Sequence, residues 1–147
     1  MASFRINKIL LISSNFKLNP EVEPGRPGEF TIEVSMTRHQ KVDNNLIVSV
    51  EVAIVAMGQD NSELLKMAVQ MDGLFDVTGD DSVGPSEDYL ANVNAPAIIY
   101  PFVREHVASV TAKAGIEAIL IPPFNFVEHY QKKLEDLHSD PAAVIEE

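Results

Sequence analysis

Arg104 and Glu105 sit side by side within IIYPFVREHVASVTAKAG, residues 98–115. A cation next to a carboxylate in apolar surroundings is a pattern that acid–base catalysis could use. Adjacent residues on a helix project about 100° apart, however, so the two do not pair with each other, and a structural or contact role fits them better. Of the four histidines, His39, His106, His129 and His138, none has a histidine or carboxylate at metal-ligand spacing on its own face. Asp80 and Asp81 form a carboxylate pair, but they follow Gly79 in a turn-like stretch where solvation explains them. The glycines are too dispersed to cradle a phosphate, and no serine lies in a nucleophile elbow. The chain has no cysteine, which excludes disulfides, thiolate metal sites and a cysteine nucleophile and is compatible with the cytoplasm. These readings assign no catalytic residue, no metal and no cofactor, and point to a protein that is not an enzyme.

A chain of 147 residues suits one domain with a real core. The net charge is -11, and between residues 51 and 100 Lys66 is the one basic residue against nine acidic ones. Such a chain repels phosphate backbones, so nucleic acid is not an expected partner. An acidic surface serves solubility or the docking of a basic partner. The start MASFRINKILLI lacks a signal-peptide layout, and no apolar run approaches the roughly 20 residues of a membrane helix. No membrane insertion is expected.

The elements that must position these residues follow from periodicity. Residues 4–17 read as a strand in which Phe4, Ile6, Leu10 and Ile12 share one parity. LNPEVEPGRPGE, residues 18–29, is an extended loop, because its prolines remove donors and fix φ. It is long for a connection, and such loops tend to be functional. FTIEVSMT (30–37), LIVSVEVAIVAM (46–57) and ELLKMAVQMDGLF (63–75) alternate as strands, with GQDNS between the last two turning through left-handed Gly58 and Asn61. The period then lengthens. SEDYLANV starts a short helix capped by Ser86. Ile99, Val103, Val107, Val110 and Ala114 form a helical stripe, with Pro101 in its first turn and Gly115 as its stop. A last helix, capped by Asn125, buries Phe126, Tyr130, Leu134 and Leu137. The predicted fold is α+β: a four-stranded antiparallel meander sheet with a long Pro/Gly crossover loop, followed by two main helices packed on one face. Residues 1–138 form the domain, and 139–147 read as an acidic, disordered tail.

The second half of the chain resembles the SecB-type protein-export chaperones. The resemblance rests on Pro96, on Tyr100, Pro101 and Phe102 followed by Arg104 and Glu105, on Gly115, and on Pro123, Phe124, Asn125 and Phe126 opening the last helix. FRINKILLISSNF, the Pro-rich loop and DGLF (72–75) extend it over roughly residues 3–135. It implies the same fold, a cytoplasmic homotetramer built as a dimer of dimers, and the holding of unfolded or pre-export chains in apolar grooves without catalysis. By likeness the groove falls at Phe16, Val22, Phe30, Phe75, Ile119, Phe124, Phe126, Tyr130 and Leu134, each of which could equally be plain core. Subunit contacts fall at Met67, Val69, Met71, Val103, Arg104, Glu105, Val107 and Val110. In the family, carboxylates on the solvent face of the sheet dock the SecA motor. The matching positions here are Ser13, Lys17, Lys66 and Ala68, none of them acidic. That departure opens the alternative of a chaperone dedicated to one partner, such as the antitoxin of a toxin–antitoxin system, not coupled to SecA.

Overall fold

The computed structural model describes residues 3–26, 29–38, 43–78 and 86–139. Asp80, Asp81, His39 and the tail beyond Ser139 lie outside these residues. Strands β1 (Ser3–Leu18), β2 (Phe30–Arg38), β3 (Asn45–Met57) and β4 (Glu63–Thr78) form one antiparallel sheet in the order β1-β4-β3-β2. The meander proper is β2, β3 and β4. The connection after β1 carries the chain across the sheet, so β1 and β2 become its two edges.

The alternation of β3 and β4 sends Val48, Val50, Val52 and Ile54, together with Leu65, Met67, Val69 and Phe75, to one face, where all are buried. The expected parity of β1 does not hold. Register shifts between Ile6 and Lys8 and between Leu11 and Ser13 each insert a residue, as β-bulges do. Phe4 and Ile6, then Ile9 and Leu11, then Phe16 and Leu18 therefore stand opposite the inward residues of β4, while Leu10 stands opposite outward Asp72.

Ser86 opens helix α1 (Glu87–Tyr89), its hydroxyl accepting the Tyr89 N–H at 3.1 Å. The helix does not stop there. It runs through a π-helical turn at Leu90–Asn94 into α2 (Ala95–Lys113). Pro96, rather than Pro101, occupies the first turn of α2, and Pro101 lies inside it. Pro96 has no N–H to give a carbonyl four residues back and its ring would press on that carbonyl; the wider i→i+5 turn just before it relieves both problems. Pro101 faces solvent, where water can serve the carbonyl that it leaves free. Gly115 has φ of 83°, the left-handed stop its position called for. α2 packs on β3 and β4, and α3 (Phe126–Ser139) rests on the π-helical turn. Asn125 caps α3 by accepting the Glu128 N–H at 3.0 Å, while the Glu128 carboxylate pairs with Lys132 one turn on. Among the described residues no helix is long and apolar enough to cross a membrane.

Candidate functional site

A cavity of about 340 Å³ opens at the sheet end where β3 turns into β4. Phe30, Ala56 and Leu65 supply sheet residues to its lining; residues 24–26 with Glu29 form one wall, and residues 116–120 the other.

The first wall belongs to the crossover loop and is held by backbone. Pro24 bridges Gly58, the Gln59 N–H donates to the Glu23 carbonyl at 3.2 Å, and the Met57 N–H donates to the Glu29 carbonyl at 3.3 Å. Val22 packs on Gly58 so closely that a Cβ there would stand 2.2 Å from Val22 Cγ1. Gly58 is thus required for space. Its φ is not positive, contrary to the sequence expectation, and Asn61 (φ 63°) alone supplies the left-handed residue of that turn.

The second wall is an extended strap after Gly115, held by side chains of α2. Thr111, fully buried, accepts the Ile119 N–H at 2.9 Å while donating to the Val107 carbonyl at 2.8 Å. Arg104 Nε donates to the Ile121 carbonyl at 2.9 Å, and the Tyr100 hydroxyl donates to the Pro122 carbonyl at 2.7 Å. Burial raises the Tyr100 pKa above the ordinary tyrosine value. Ile119 and Ile121 turn inward and leave Leu120 between them 73% exposed on the rim. Just beyond, the Phe124 and Phe126 rings lie 4.6 Å apart, with Tyr100 edge-on to Phe126 at 5.6 Å. Nothing in this arrangement activates a nucleophile or moves a proton. It is an apolar slot with extended walls, suited to contact that ignores side-chain identity.

Of the residues expected in a groove, Phe30 and Ile119 line the cavity. Val22 packs behind its loop wall, and Phe124 and Phe126 follow its strap wall. Tyr130 lies edge-on to Tyr89 at 5.7 Å and donates to Asp88 at 2.6 Å, away from the cavity. Phe16 and Leu134 are half-buried on β1 and α3. Phe75 is a correction: it is 0% exposed and stacked on Phe4 at 4.9 Å, ten residues along β4 from the cavity-lining Leu65. It is core because Gly73 leaves room for its ring and for Ile99. The expected contact residues need a second correction. Met67, Val69, Met71, Val103 and Val107 are closed between the sheet and α2 of the same subunit, at 0–7% exposure. Their apolar stripes are already covered, which takes them off any surface that a second copy could touch. Val110 is half-buried, Arg104 holds the strap, and Glu105 is exposed without an ion-pair partner among the described residues. Sequence reading missed Leu120 and Ile116. The alternation in AILIPP, ending in prolines, was the available signal.

The family model described as preprotein translocase subunit SecB matches residues 13–136. The chain belongs to the SecB family. A protein-export protein SecB of Rickettsia rickettsii is 27% identical over 109 residues, covering 74% of this chain and 68% of its own. That of Alcanivorax borkumensis is 25% identical over 97% of this chain and 93% of its own. Among solved structures, the fold matches a Mycobacterium tuberculosis SecB-like chaperone in complex with a ChAD peptide from the HigA1 antitoxin. The match has a TM-score of 0.63 at 17% identity, covering 83% of this chain and 91% of that one. This SecB-family chaperone therefore carries its apolar slot on the family's sheet-and-helix frame.

Proposed function

We propose that this protein is a cytoplasmic holdase that keeps unfolded or pre-export polypeptides from aggregating by holding their apolar segments in the slot between crossover loop and strap. The carrying observation is the cavity walled by two extended segments, with Leu120 exposed at its rim. Phe30, Ile119, Phe124 and Phe126, with Val22 behind the loop wall, are the groove side chains of this reading. Apolar burial is non-directional, so such a slot takes many sequences.

The working form is a homotetramer. Its subunit contact uses what the fold leaves uncovered: the stripe Ile98, Phe102 and His106 of α2 beside β1, where His106 Nε2 and Ser14 Oγ lie 2.8 Å apart. Phe102 and Leu11 are each 50% exposed there. Native mass near four times 16.2 kDa is expected. Purified protein at one tetramer per client should slow aggregation of a denatured client, and Leu120→Asp should weaken that protection. No slowing by the wild type would sink the reading.

The second reading is a chaperone serving one partner without SecA. It is favoured by Lys17 and Lys66, which stand directly opposite each other on β1 and β4 where the likeness implies carboxylates. Titration with purified SecA separates the two readings: tight binding would favour export delivery, and its absence together with client protection the dedicated role.

A further inference from the structure

The outward face of the sheet carries an unusual charge layout, independent of the slot. In register, Lys17 of β1 stands opposite Lys66 of β4, which stands opposite Val55 of β3. Two like charges directly opposite on neighbouring strands repel and destabilise the free sheet. Neither lysine has an ion-pair partner among the described residues. Beside them lies a hollow of about 620 Å³ lined by Asn15, Ala53 and Ala68 as well as both lysines. Small residues there leave room for a visiting chain. Glu63 also lines the hollow, but it forms no ion pair with either lysine.

Carboxylates stand further along the same face. Glu51 of β3 is opposite Ser35 and Gln70, four residues along from Lys66 and Val55, and Glu33 of β2 is opposite Ala53. Asp72, beyond them, accepts from Ser49 at 2.6 Å and from Gln70 at 3.2 Å. Glu33 and Glu51 have no ion-pair partner among the described residues. Four residues of strand span about 13 Å, so an unpaired basic pair and an unpaired acidic pair share one face at that separation. A long polyanion would meet the lysines and then be repelled by the carboxylates. A polypeptide of mixed charge meets both.

We propose that this face docks an extended segment of a partner protein bearing a carboxylate at one position and a lysine or arginine four residues on. An extended chain repeats its facing direction every second residue, so positions i and i+4 point the same way and match the spacing of the lysines and Glu51. The carboxylate lies between Lys17 and Lys66, the base reaches Glu51 and Glu33, and small side chains between them sit over Ala53 and Ala68.

The probe is a fluorescein-labelled, Thr/Val-rich ten-residue peptide with a glutamate pair four residues ahead of a lysine pair, followed by anisotropy with the full chain. Wild type should bind it at least tenfold more tightly than Lys17→Glu/Lys66→Glu, and tenfold more tightly than it binds a peptide of scrambled charge order. Binding should weaken steeply between 50 and 500 mM salt, as an exposed charge contact does. Leu120→Asp at the slot should leave peptide affinity unchanged. Equal binding by wild type and the double variant would overturn the proposal. So would loss of binding in Leu120→Asp alone, which would place the peptide in the slot, or tighter binding of heparin than of the peptide. A change in native mass in Lys17→Glu/Lys66→Glu would make the face a contact between copies and also overturn it. Circular dichroism of the double variant, whose two sites are exposed, should match wild type.

Discussion

The two walls of the slot are both extended, both outside the sheet, and built on opposite principles. The crossover loop is tied by main-chain bonds to the turn between β3 and β4, so its position depends on backbone that most substitutions leave alone. The strap has no strand beside it. Its position depends on three side chains projecting from α2, namely Tyr100, Arg104 and Thr111. A wall held by backbone is sensitive mainly to space, whereas a wall held by side chains is sensitive to single polar groups.

The largest expected effect breaks the loop wall. Gly58→Val places a branched side chain where even a Cβ would meet Val22 and the Glu23 carbonyl, and overpacking of this kind costs about 3 kcal/mol. Chemical denaturation should show the loss, and Val22→Ala in the same chain should recover part of it. The strap should stay protected, with hydrogen exchange at the Ile119 amide unchanged. A smaller effect breaks the strap. Thr111→Val keeps shape but removes the hydroxyl that the buried Ile119 N–H needs, at about 2 kcal/mol for an unsatisfied donor. Exchange at Ile119 should accelerate while the amides of Met57 and Gln59 on the loop side stay protected. Equal acceleration at both walls would show that they move as one unit.

The smallest effect concerns α3, downstream of the strap. The Tyr130 hydroxyl bonds Asp88, and that bond is the main reason its pKa is pushed up to about 12. The folded chain therefore keeps this proton more tightly than the unfolded chain. The stabilisation is complete below pH 10, the ordinary tyrosine value, and is lost as pH rises through about 12. Ultraviolet titration should find Tyr130 ionising late, and Asp88→Asn should bring its midpoint back toward 10.

Much of this architecture was legible in the sequence, and what was hidden was hidden for physical reasons. The strands β2 to β4 alternate cleanly because one face is buried and the other is wet, so each side chain reports its side. β1 was misread after Ile6 because a bulge adds a residue without changing composition; nothing in NKILLIS announces it. Pro101 looked like a start signal because the π-helical turn upstream, which lets α1 run on into α2, has no signature in a hydrophobic stripe. Met67, Val69, Val103 and Val107 show the main limit. Periodicity reveals that a face is apolar but cannot say whether the subunit's own helix or another chain covers it. The slot was legible in part, through Phe30 and Ile119 and the loop length. Phe75 shared their aromatic or aliphatic character but lies ten residues along β4 from Leu65.

The two bulges of β1 also bear on what the open edge of the sheet can recruit. As a template for a straight incoming strand, β1 is broken at both register shifts, and its longest unbroken run is residues 13–18. Lys17 projects from that run. An edge interrupted in this way, with a charge near its end, resists runaway strand-upon-strand growth. For a molecule reading as a holder of aggregation-prone chains, this means that it can expose a sheet edge to its clients without becoming the seed of the aggregates that it prevents.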